Sequence, residues 1–101
     1  MSGYTKGPWE FHEDDGEDNQ IVVGDNGDVI CVVGSYMTSV EEDFANGPLI
    51  AAAPELLEAL QKIVEMNAQY CHDKYGDSSK AESMACVRVA RAAIAKALGN
   101  N

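Results

Sequence analysis

Near residue 40 the apolar pattern of this chain changes period, and that change constrains the fold more than any other feature. Upstream, large apolar residues alternate with polar ones or form short β-branched runs bounded by turn residues. Downstream, they recur at helical spacing. A block of strands followed by a block of helices is α+β. Pro8-Trp9-Glu10-Phe11-His12 predicts a first strand, and the acidic tract from Glu13 to Asn19 a loop. Ile21–Val23 and Val29–Val33 flank Asp25-Asn26-Gly27-Asp28, where Asn26-Gly27 predicts a two-residue type I′ hairpin, since both residues tolerate positive φ. The tract from Gly34 to Thr38 continues the third strand or forms a short fourth.

After residue 38 the signals are helical. Ser39 with Glu42 three residues on is a capping box, predicting a short helix interrupted at Gly47-Pro48. Leu49–Pro54 is helical in composition, with a kink or restart at Pro54, and a strong helix runs from Glu55 to about Lys74. Tyr75–Ser78 predicts a loop; Ser79, with Glu82, caps a last helix ending at Leu98-Gly99. The expectation is one α+β domain over 1–101: a three- to four-stranded antiparallel β-meander (1–38), then a helical part (39–101) closing in a two-helix C-terminal hairpin.

A chain of 101 residues has room for one domain, able to bury about two-thirds of the surface its unfolded chain exposes. It contains no run of 18 apolar residues to span a membrane and no apolar leader at its start. Three cysteines without C-x-x-C spacing predict free thiols in a reducing cytosol. The net charge of −10 lies entirely in residues 1–43, which carry eleven acids against Lys6. Direct nucleic-acid binding needs a dense cationic surface, and the chain has none. An acidic first half solubilises the chain or imitates nucleic acid towards a basic partner.

On the long helix, Leu49, Ala53, Leu56, Leu60, Ile63, Asn67 and Tyr70 form a coiled-coil-like stripe, with Leu57 and Val64 widening the arc towards the sheet. Asn67 is then a satisfied interfacial amide, or with Tyr70 it opens onto a ligand or subunit boundary. The last helix is alanine-rich, with Met84, Val87, Ile94 and Leu98 as its stripe and Arg91 in a seam position. Arg88 and Arg91, close to one turn apart, hold an anion, snorkel outward, or pair with Glu58 or Glu65. So thin a helix invites a further copy, predicting a homo-oligomer. No catalytic constellation is present: His12 and His72 lack a nucleophile motif, and Cys71-His72 side chains diverge by about 100° on a helix. The acidic loop lacks calcium-loop spacing, so neither metal nor cofactor is expected.

L-I-A-A-A-P-E-L-L-E-A-L at Leu49–Leu60, A-R-A-A-I-A-K-A at Ala90–Ala97 and the opening Gly7-Pro8-Trp9-Glu10-Phe11 together resemble a widespread group of small phage and prophage proteins. That group usually carries N-A-R before L-I-A-A-A-P; here the tract is Asn46-Gly47-Pro48. The strands-then-helices order also resembles the first Thoeris anti-defence family, phage proteins that sequester cyclic ADP-ribose signals or cyclic oligonucleotides. By element and residue type, this resemblance implies ligand contacts from Trp9 or Phe11, Asn67, and Arg88 with Arg91 at subunit boundaries, to which the helix-face reading adds Tyr70. It implies a non-enzymatic counter-defence protein in the host bacterial cytoplasm that binds a nucleotide second messenger. A rival reading is an acidic, anti-CRISPR-like inhibitor that blocks the nucleic-acid surface of a host defence protein.

Overall fold

The computed structural model describes residues 3–17, 19–34 and 37–100. Its fold is α+β, with a three-stranded antiparallel sheet followed by helices. Two compact units divide the chain after Glu55, inside a helix rather than at the change of sequence pattern.

The first unit holds β1 (Glu10–His12), β2 (Gln20–Val23), β3 (Val29–Val33) and α1 (Val40–Ala51). The strand order is β1-β2-β3, with β2 in the centre. Phe11, Val22 and Cys31 lie opposite one another across the three strands. With Val33 and Trp9 they form the face on which Ile50 and Ala51 of α1 pack, and Val22 loses all solvent contact. The β2–β3 connection differs from the expected two-residue hairpin. Gly27 N donates to Gly24 O at 3.0 Å, so the turn closes one residue early and Gly27 follows it at φ +85°. Asn26 is held in place by Asp28, whose carboxylate accepts from its Nδ2 (2.9 Å) and whose N–H donates to its Oδ1 (3.1 Å). The early turn leaves β3 with one residue more than β2. Val23 pairs with Val29 and Val22 with Cys31, so Ile30 is the extra residue of a β-bulge. No fourth strand follows at Gly34, Met37 or Thr38; Ser35 and Tyr36 of that tract lie outside the described residues.

The Ser39 capping box is present in full, with Glu42 N donating to Ser39 Oγ (3.1 Å) and Ser39 N to Glu42 Oε1 (3.0 Å). The expected interruption at Gly47-Pro48 is absent, because α1 runs through both. An interior proline forfeits one N–H···O bond and strains the preceding turn. Packing against the sheet outweighs that here. A Cβ on Gly47 would collide with the Phe11 ring, so the glycine is what lets the ring lie on the helix backbone. Phe44 meets the same ring edge-on, with centroids 6.3 Å apart. The restart at Pro54 is observed: Ala52 ends α1 and Pro54 is the second residue of α2 (Ala53–Tyr75), where a missing N–H costs nothing.

The second unit consists of the rest of α2, a 3-10 helix (Ser78–Ser83) and α3 (Ala85–Ala97). Val64, Cys71, Ala81, Val87 and Ala90 form its core, with Leu60, Ala68, Met84 and Ile94 around them. Two expectations are corrected here. The inward face of α2 is Leu57, Val64 and Cys71, one position beyond the expected stripe, while Leu56, Ile63 and Tyr70 are exposed. Val64 belongs to this helical core rather than to the sheet. Ser79 does not cap the last helix either. Gly76, at φ +72°, ends α2; Asp77 then accepts from Ser79 N (3.0 Å) and Ser79 Oγ (2.5 Å), winding the chain into a 3-10 helix before α3 begins. Among the described residues, no helix is long and apolar enough to cross a membrane.

Candidate functional site

Each unit carries its own hollow. In the first, β1 and the α1–α2 junction border an open hollow of about 380 Å³ lined by Trp9, Phe11, Pro48, Ala51, Ala52 and Glu55. The Trp9 indole N–H donates to Thr5 O at 2.9 Å, tying the ring to the chain just ahead of β1. A Cβ on Gly7 would come within 2.9 Å of Pro54 Cβ, so the chain entering β1 lies close against the start of α2. The Gly7-Pro8-Trp9 and Pro48–Glu55 segments, far apart in sequence, thus build one surface.

The second unit's hollow measures about 420 Å³ and is lined by Tyr70, Cys71, Tyr75, Lys80, Ser83 and Met84. Helical spacing brings Tyr70 and Lys74 to one side of α2, where Lys74 Nζ donates to Tyr70 Oη at 3.1 Å. The ammonium also lies 5.5 Å from the Tyr70 ring centre and 5.4 Å from that of Tyr75. The hydrogen bond to Tyr70 is the main reason the Lys74 pKa is raised above the ordinary lysine value. The turn at Gly76 then returns Lys80 to within 5.7 Å of the Tyr75 ring. Ser83 Oγ donates to Lys80 O at 2.8 Å, and the two tyrosine rings with the ammonium groups of Lys74 and Lys80 suit a ligand with both an aromatic and an anionic part. Cys71 is buried beneath them, its Sγ 3.9 Å from Met84 Sδ.

The six residues singled out from sequence divide between these places. Trp9 and Phe11 belong to the first hollow, and Tyr70 to the second. Asn67 spends its amide on its own helix, donating from Nδ2 to Ile63 O at 2.8 Å. Arg88 is exposed on α3. Arg91 is not in the seam; Ala90 takes that place, and the Arg91 side chain is 53% exposed. Its partner is Glu82 rather than Glu58 or Glu65. Arg91 Nε and Nη2 fork onto the two Glu82 oxygens at 2.6 and 2.7 Å. That pairing lowers the Glu82 pKa and raises that of Arg91. Sequence spacing missed Tyr75, Lys80 and Ser83, because the Gly76 turn and the 3-10 helix, not a helical repeat, bring them together. The available signal was two tyrosines and a lysine before that glycine and a second lysine four residues after it.

In the acidic loop, Asp15 accepts from the backbone N–H of Glu17 (2.8 Å) and Asn19 (3.2 Å) and from the Asn19 amide, with Glu17 the largest cause of its lowered pKa. Among the described residues, no group of three metal-ligating side chains converges.

The family model described as Salmonella phage P22 protein Y8K6 matches residues 1–101, the whole chain. No curated protein and no solved structure matches it. Of the three segments by which the sequence resembles small phage proteins, Gly7–Phe11 and Leu49–Leu60 supply Trp9, Phe11, Ala51, Ala52 and Glu55 to the first hollow, and the match runs through all three. The chain belongs to the Salmonella phage P22 protein Y8K6 family, a family of small phage proteins.

Proposed function

We propose that this phage protein acts without catalysis, as a counter-defence protein that withholds a nucleotide second messenger of cyclic ADP-ribose or cyclic oligonucleotide type in the host cytoplasm. The observation that carries this reading is the hollow between the end of α2 and the 3-10 helix. Tyr70 and Tyr75 supply ring faces for a base, Lys74 and Lys80 balance phosphate charge, and Ser83 Oγ, whose proton goes to Lys80 O, accepts from a ribose hydroxyl. Its volume, about 420 Å³, falls in the range of small-molecule sites. A sponge needs affinity and no reacting group. Arg88 is a further cation on α3, whereas Arg91 would have to leave Glu82 before it met a phosphate. The same reading makes the protein a homo-oligomer, joined on the α2 face that leaves Leu56, Ile63, Met66 and Tyr70 exposed.

Isothermal titration with cyclic ADP-ribose isomers and cyclic di- and trinucleotides tests the proposal. Saturable binding that is lost in the Tyr75→Ala, Lys80→Ala double variant, with its circular dichroism retained, is the expected result. Absence of binding by the wild type across the panel overturns it. Loss in Arg88→Ala without loss in the double variant moves the site to α3.

A further inference from the structure

The hollow of the first unit differs in chemistry from that of the second, and the reading above does not use it. We infer that it is a docking site for an arginine side chain presented by a basic segment of a partner protein. Its walls are aromatic and held. The Trp9 ring is tied by its N–H to Thr5 O, and the Phe11 ring is seated on the Gly47 backbone with Phe44 against its edge. Pro48, Ala51 and Ala52 are too short to fill the space between them, leaving about 380 Å³. One charged residue is among those that line it, Glu55.

An apolar wall with a single carboxylate discriminates among ligands. An anion would be repelled by Glu55, and a neutral apolar group would desolvate that carboxylate with nothing in return. An ammonium would satisfy the charge but has no flat face to lay on indole or phenyl. A guanidinium does both, stacking on the rings and forking onto the carboxylate. The surroundings extend the argument from a side chain to a segment. Residues 1–55 carry twelve acids against Lys6, so the field of the unit draws in extended positive charge. At physiological salt this field reaches only about 8 Å from each charge, so it acts on residues flanking the docked arginine, not on distant parts of the partner. Charge then supplies the approach and the aromatic hollow the anchor.

Trp9 is the only tryptophan of the chain and reports on the hollow directly by its fluorescence. The full-length protein is titrated at physiological salt with hexa-arginine, hexa-lysine and N-acetylargininamide. Hexa-arginine should change Trp9 emission saturably and bind more tightly than either of the others. Glu55→Gln should weaken that binding about fivefold to tenfold, as loss of a charge-assisted contact does. Glu13→Gln with Glu17→Gln, which removes two charges outside the hollow, should weaken it less than Glu55→Gln. Equal binding of hexa-lysine, or a larger loss in the Glu13, Glu17 variant, would reduce the effect to diffuse charge attraction and overturn the inference. N-acetylargininamide binding as tightly as the hexapeptide would assign the hollow to a small guanidinium compound instead. No saturable change in Trp9 emission also overturns it. Nucleotide titrations report on the other unit's hollow, so the two readings fail separately.

Discussion

Replacing Gly47 by alanine should destabilise the first unit, although the same change in most helices stabilises. In an exposed helix interior, alanine is favoured over glycine by about 1 kcal/mol. Gly47 is buried, and three atoms of the Phe11 ring lie closer to its would-be Cβ than real contacts allow, the farthest of them at 2.7 Å. Phe44 stands edge-on to the ring, with centroids 6.3 Å apart, and blocks rotation on that side. Overpacking of this kind costs about 1–3 kcal/mol, rising to about 3–5 kcal/mol if an aromatic ring is expelled altogether. Since Phe11 is only half-buried, a gross loss of about 2–4 kcal/mol is reasonable, and the propensity gain leaves a net loss of about 1–3 kcal/mol. Urea unfolding followed by Trp9 fluorescence measures this in the unit concerned. In a Phe11→Leu background the cost of Gly47→Ala should shrink or change sign, because the two sites couple through one contact. A Gly47→Ala protein as stable as the wild type, or more so, would refute the packing of Phe11 on this helix.

Glu82 and Asp77 both have lowered pKa values, caused first by hydrogen bonds from Arg91 and from Ser79 respectively. Their contribution to the second unit should therefore be complete at neutral pH and disappear as pH falls through these depressed values. In an NMR titration Arg91→Ala should return the Glu82 carboxylate to its ordinary range; an unmoved value would mean the pair does not form in solution. Light scattering should give a mass above the 10.8 kDa monomer at micromolar concentration, reduced to the monomer by Ile63→Glu. A monomeric wild type would remove the α2 face as a self-association surface. Millimolar calcium should leave the melting temperature unchanged, since Asp15 is already committed to Glu17 and Asn19; a rise of several degrees that disappears in Asp14→Asn with Asp15→Asn would contradict this.

Local chemistry was the legible part of the fold. Alternation located β1 and β-branched runs located β2 and β3, Ser39 with Glu42 located the start of α1, and Pro54 located the break before α2, because each acts within a few residues. Pro48 misled, since its cost is local while the packing of Gly47 and Ala51 on the sheet is not visible along the chain. On α2 the sets 56-63-70 and 57-64-71 share one spacing, and only the positions of Val87 and Ala90 decide which faces inward. Arg91 was misplaced for a related reason. Glu82 was read as a cap residue of the last helix, whereas the Asx turn at Asp77 puts it in a separate 3-10 helix that faces Arg91. Trp9 and Phe11 were found as aromatics, but their neighbour Glu55 was not, because the junction that brings α2 beside β1 is a tertiary matter.

A three-stranded sheet with β2 in the centre leaves two outer strands, and on β3 Val29 and Val32 point to solvent. An edge of that kind is a template on which another sheet can add, and proteins commonly keep such edges apart with charge. In this chain the charge is supplied by the connections on either side of β2, the acidic tract before it and Asp25 and Asp28 after it. The carboxylates that draw a basic partner therefore also keep identical sheets from stacking strand to strand. That protection ends where the carboxylates protonate. Near the isoelectric point of about 4.3 the protein should precipitate through its sheet edges, as a β-rich aggregate that binds amyloid dyes, before its helices unfold.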